Sequence, residues 1–152
     1  MVADIDELLP RARSPRDYLN LVTDPRVDQE VLRGLAASPY PFVRKAVAAH
    51  PLADAQILTA LLRTEDLDRW DRCYLLATVA HHPNADRTVL LRVVRQTLAL
   101  LRQPNGRPYA TALALAQRPE LDPAEILILA KQQGASHRMR RGLLRNLAAR
   151  IP

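Results

Sequence analysis

The sequence predicts an all-α fold, a right-handed α-solenoid of about four helical-pair repeats plus a terminal helix, and three observations point to it. The first is a phrase that occurs four times. An apolar helical stretch closes on a proline and an aspartate follows three residues later: Pro25 with Asp28, Pro51 with Asp54, Pro83 with Asp86 and Pro119 with Asp122. Self-similarity of this kind marks stacked helical repeats. The second is composition. Residues are 48% hydrophobic but only 4% aromatic, with four glycines, and a chain rich in Leu, Ala and Val suits helix-on-helix packing better than a β-sandwich. The third is a packing column. Aligned on the prolines, Leu21, Val47, Val79 and Leu115 fall together, followed by Val22, Ala48, Ala80 and Ala116, with Leu147 and Ala148 in register. A large residue fills the groove between helices and the small one beside it lets them approach.

A length of 152 residues suits one domain with a real core. Its expected divisions are an N-terminal cap over 1–13, repeats over 14–37, 38–65, 66–106 and 107–135, and a terminal half-repeat over 136–152. The first helix of each unit opens at Ser14-Pro15, Ser38-Pro39, Asp66 or Asp68, Pro108 and Ser136. A serine N-cap before a proline at the first helical position places the missing N–H where it has no helical partner, and Ser14 with Asp17 reads as a capping box. The proline that follows each of the first four of these helices cannot continue it, so the chain must turn. Asp28, Asp54, Asp86 and Asp122 then act as N-caps of the second helices, whose apolar residues (Val31, Leu32, Leu35; Ile57, Leu58, Leu61; Val89, Leu90, Val93, Val94) define one buried face each. The helix after Asp86 is the longest, running to about Arg102, and Gln103-Pro104-Asn105-Gly106 is the only substantial loop expected.

Leu35-Ala36-Ala37-Ser38-Pro39, VRKAVAAHP from Val43 to Pro51 and LLATVAHHP from Leu75 to Pro83 together resemble the leucine-rich repeat variant family and, more loosely, HEAT-like α-solenoids. The resemblance covers most of residues 14–150 and implies a stacked helical interaction surface without a reaction. Clustered cysteines of the kind found in an iron–sulfur segment of some members are lacking, so the resemblance implies no cofactor.

Charge is uneven along the chain. Residues 1–76 hold 10 basic and 12 acidic side chains, net −2, whereas residues 77–152 hold 12 basic and 4 acidic, net +8. No acid follows Glu125. In a solenoid this gives one basic end, and Asp4, Asp6 and Glu7 at the other end make head-to-tail self-association a specific expectation. The sequence stops at Ile151-Pro152 with the last unit half built, leaving an outer face for polar side chains, another copy or a partner to cover. The single Cys73 excludes an internal disulfide, no apolar stretch approaches the ~18 to 20 residues of a membrane span, and a cytoplasmic protein is expected.

His50 and His82 share a repeat position that continues as Arg118 and Arg150, and His50, His82 and Arg118 are expected as helix-end cations favoured by the backbone dipole, not as metal ligands. Two ligands on one zinc must each reach to ~2 Å, whereas neighbouring helices lie ~8 to 10 Å apart. Cys73 reads as a small buried hydrophobe, and Trp70, Tyr74 and Asp71 are candidates to line a pocket of the kind a HEAT-like DNA-repair glycosylase would need. No phosphate-cradling glycine loop, His-Glu-x-x-His or nucleophile elbow is present, so no catalytic or metal-binding residue is assigned. The strongest functional candidate is the segment SHRMRRGLLRNLAAR, with Arg138, Arg140, Arg141, Arg145 and Arg150. On a helix begun near Ser136, Leu143, Leu144 and Leu147 can face the stack, leaving Arg138, Arg141 and Arg145 on another face. The expected function is a non-catalytic protein-binding adaptor whose basic half meets an acidic partner. The alternative is sequence-independent contact with a nucleic-acid backbone.

Overall fold

A computed structural model describes residues 5–9 and 14–150 of the chain, apart from the side chains of Asp6 and Glu7. Among the described residues there is no strand. A helical turn, α1 (Ile5–Leu8), precedes nine longer helices: α2 (Pro15–Val22), α3 (Gln29–Leu35), α4 (Pro41–Ala49), α5 (Ala55–Leu61), α6 (Arg69–His81), α7 (Arg87–Leu101), α8 (Tyr109–Ala116), α9 (Pro123–Ala130) and α10 (His137–Ala148). Contacts run between neighbours. Helices α2, α4, α6, α8 and α10 touch in succession, as do α3, α5, α7 and α9, and the two series meet within each pair.

Local chemistry sets these boundaries. The side chains of Asp28, Asp54 and Asp86 accept from the backbone N–H groups of Val31, Ile57 and Val89 at 2.9, 2.8 and 2.9 Å, and Asp122 forms a capping box with Glu125. Ser14 pairs with Asp17 in the same way, and Ser136 accepts from Met139 N–H. Of the two aspartates that could open α6, Asp68 caps it while Asp66 receives the guanidinium of Arg44. The large-then-small column is buried throughout α2, α4, α6 and α8.

Two boundaries depart from the sequence expectation. Helix α4 begins at Pro41 rather than Pro39, because Ser38 turns its hydroxyl onto Tyr40 N–H and Tyr40 takes the cap position. Tyr40 also lies 6.0 Å from the Tyr18 ring and stacks on Phe42 at 5.6 Å, which favours the later start. The loop over 102–108 is matched by one of the same length over 62–68. That second loop is fastened from both sides: buried Arg44 donates to Asp66 and to Arg63 O, and Gln96 on α7 donates to Leu62 O at 2.6 Å while accepting from Thr64 Oγ1. The anchors from α4 and α7 are out of sight of any local pattern, and Arg72 on α6 adds a nearer one to Thr64 O at 3.2 Å. No described helix is long and apolar enough to cross a membrane.

Removing one cap isolates the effect of the repeated aspartate. Asp86→Ala strips the acceptor from Val89 N–H and should lower unfolding stability by about 1 kcal/mol, read as a lower urea midpoint with unchanged slope.

Candidate functional site

Where each proline stops a helix, the last carbonyls lose their helical donors. The position one or two residues ahead of the proline supplies replacements to the unit before it. His82 Nε2 donates to His50 O at 2.8 Å, and Asn84 Nδ2 reaches Pro51 O and Ala53 O at 3.1 and 2.9 Å. One unit on, Arg118 donates to Ala80 O, His82 O and Ala85 O at 3.2, 2.7 and 2.7 Å and holds Glu120 at 2.6 Å. One further, Arg150 donates to Ala116 O and Leu121 O, both at 2.6 Å, and to Leu115 O at 3.2 Å. Ala80 and Ala116 hold equivalent places in their units, as do Ala85 and Leu121. The same grip is therefore made twice.

This ladder corrects two of the sequence expectations. His50 and His82 do not act as donors to their own helix ends: Nδ1 of each accepts a backbone N–H, from Leu52 and Asn84 respectively, at 3.0 Å. Burial pulls the His50 pKa below its ordinary value, with His82 adding to the effect. Arg118 is a cation that caps carbonyls. In the first unit Asp24 breaks the series by taking Arg26, whose guanidinium holds that carboxyl at about 2. Second, Arg150 is spent on three carbonyls, and half-buried Arg140 commits its Nε–H to Ala130 O at 2.8 Å.

Arg138, Arg141 and Arg145 differ. All three are exposed along one face of α10, and no hydrogen bond or ion pair engages them among the described residues. Leu143 is buried, but Leu144 is 56% exposed beside this arginine row. It turns away from α8 and α9, against the expectation that it faces the stack. The acidic counterpart expected at the opposite end cannot be placed: Asp4 and the side chains of Asp6 and Glu7 lie outside the described residues, as do Ile151 and Pro152.

Two clefts lie apart from α10, the second of them at the Trp70 position that the sequence offered for a pocket. One, of about 460 Å³ between α5 and α7, is lined by Arg63, Arg92 and Arg95 together with Glu65. The three-residue spacing of Arg92 and Arg95, opposite Val93 and Val94, was a legible sign of an exposed arginine face. The other, of about 430 Å³, is bounded by Arg69, Trp70, Cys73, Asn105 and Arg107. Of the candidates for a pocket there, Trp70 enters it, while Asp71 pairs with Lys45 at 2.5 Å and Tyr74 lies under the Lys45 ammonium at 4.8 Å. No carboxylate lines this cleft. Burial pushes the Cys73 thiol up from its ordinary pKa, only partly offset by Arg69 and Arg72, so it stays protonated at neutral pH. Among the described residues no three His, Cys, Asp or Glu side chains are grouped to hold a metal ion.

Comparison of the chain with protein-family models, curated proteins and solved structures finds no match.

Two outcomes follow from the ladder. Arg118→Ala leaves three carbonyls and Glu120 without their donor and should cost roughly 2 to 4 kcal/mol. Arg118→Lys should recover only part of this in urea denaturation, because a single ammonium cannot reproduce the fork. The His50 effect sets a pH dependence. With its folded pKa below ~6.5, the unfolded chain takes up the proton first, so this contribution is complete above the ordinary value and declines as pH falls beneath it. Melting temperature should drop between about pH 7 and pH 5.5, and His50→Asn should flatten that slope.

Proposed function

We propose that the protein is a non-catalytic binding scaffold, a right-handed α-solenoid akin to leucine-rich repeat variant and HEAT-like repeats, whose α10 face engages an acidic segment of a partner protein. The two contact series, one through α2, α4, α6, α8 and α10 and the other through α3, α5, α7 and α9, support the solenoid arrangement. They give it two long faces and an end face, which is the kind of surface repeat proteins use for binding.

The observation that carries the reading is the unneutralised arginine row of Arg138, Arg141 and Arg145 beside exposed Leu144. Cations kept apart from the molecule's own carboxylates create a positive field that steers an anionic partner. An exposed leucine within that field favours a partner that brings apolar side chains as well as charge. An acidic amphipathic segment does so, whereas a duplex phosphate backbone offers Leu144 nothing to bury it. Arg140 and Arg150 support this face from behind by fixing α10 to the Ala130 carbonyl and to the end of α8.

A fluorescein-labelled peptide of Asp, Glu and Leu residues is a direct probe. It should bind the wild-type protein at low salt and weaken as salt screens the charges, and the triple variant Arg138→Glu, Arg141→Glu, Arg145→Glu should abolish binding. Leu144→Ser should weaken it severalfold without changing the salt dependence. Equal binding by wild type and triple variant would refute the reading, as would tighter binding of duplex DNA to the same face.

A further inference from the structure

We propose that the cleft between the start of α6 and the 102–108 loop binds a nucleotide unit, with its base on the Trp70 indole and its phosphate on Arg107. Trp70 is the chain's one tryptophan and is 74% exposed. An indole of this size contributes to folding only when covered, so here its apolar surface is available to a ligand. The Arg69 guanidinium sits over the ring at 4.8 Å, and no other ring contacts Trp70 among the described residues. Arg69 is itself fixed by donating to Asn105 O at 2.7 Å. Across the cleft Arg107 is exposed and, among the described residues, makes no hydrogen bond or ion pair.

The chemistry of the lining selects the occupant. Two guanidiniums and no carboxylate favour an anion, and a flat π surface next to them favours an anion that carries a ring. Aromatic stacking combined with arginine contact is how unpaired nucleotides are held without base-specific readout. Paired bases in a duplex offer no such free face. The cleft of about 430 Å³ lies in the size range of small-molecule sites.

Its far wall is seated closely on α7. Asn105 adopts φ 65°, and a Cβ at Gly106 would lie 1.8 Å from Leu100 O, so only glycine lets the loop seat against α7. The site is distinct from the α10 face and does not depend on it.

The ligand unit has two sources, a free nucleotide or a single strand, and the single tryptophan reports on both. Titration with adenosine 5′-monophosphate and with a short oligothymidylate at low salt should quench Trp70 fluorescence saturably, and adenosine without phosphate should be at least tenfold weaker. Arg107→Glu should weaken both ligands by about tenfold or more, and Trp70→Ala should weaken a labelled oligothymidylate about five- to hundredfold by anisotropy. Both side chains are exposed, and unchanged circular dichroism and melting establish that the variants fold. The triple arginine reversal on α10 should leave affinity within about twofold. Oligothymidylate binding at least tenfold tighter than the mononucleotide assigns the site to single strands, and equal affinities assign it to free nucleotides. Absence of saturable quenching by either ligand at millimolar concentration overturns the proposal. So does quenching that ignores Arg107→Glu, or binding lost with the α10 reversal and retained with Arg107→Glu.

Discussion

The backbone carbonyls released where proline ends a helix are the constraint on which the rest of this structure depends. Four times the chain must stop a helix, turn sharply and start another, and each stop strands acceptors that lack an N–H partner. Water can serve those at the surface, but the turns lie against the next unit, so that unit supplies the donors. At three of the four turns His82, Arg118 and Arg150 do this over 29 to 38 residues of sequence. The consequence is register: a unit that slid along its neighbour by one turn would lose its polar seam even if the apolar column still found some packing.

The distribution of charge on the surface follows from the same seam. Of the five arginines in the last segment, two are drawn into carbonyl contacts and three are left in solvent. Arg150 is partly withdrawn from water, which lowers its pKa, while Glu120 and Asp122 nearby offset the penalty. What the totals present as one basic end is thus two populations: cations that hold the fold together and cations that only a partner could neutralise. The exposed row on α10, the Arg63, Arg92 and Arg95 cleft and the Arg69–Trp70–Arg107 cleft lie on different helices, so the surface carries separate basic features rather than a single field.

Most of the helical architecture was legible because its signals are local. An aspartate three residues past a proline caps whatever helix follows, and alternating large and small residues mark a buried column without knowledge of the neighbour. Features that depend on distant partners were not legible. Ser38-Pro39 has the form of a helix start, but the Tyr18–Tyr40–Phe42 ring contacts move it two residues on. A histidine in a column with arginines suggests charge, and only the Leu52 and Asn84 amides reveal that the imidazoles accept. The cleft at Trp70 needs Arg107, on the other side of α7 in sequence, and no spacing rule joins them. Leu144 has the helical spacing of a core residue but is exposed, while Leu143 and Met139 on the same helix are buried.

The twofold recurrence of the arginine grip has a bearing on how such a chain can grow. Arg118 and Arg150 clasp corresponding oxygens of the stretch behind them, so residues 107–135 carry a complete joint, with the clasp at one edge and the matching acceptors at the other. In a tandem copy of that stretch the arginine clasp would meet matching carbonyl acceptors. Duplication would therefore carry the polar part of a joint with it, whereas the histidine-based seam between the second and third units uses a different donor and the added amide of Asn84.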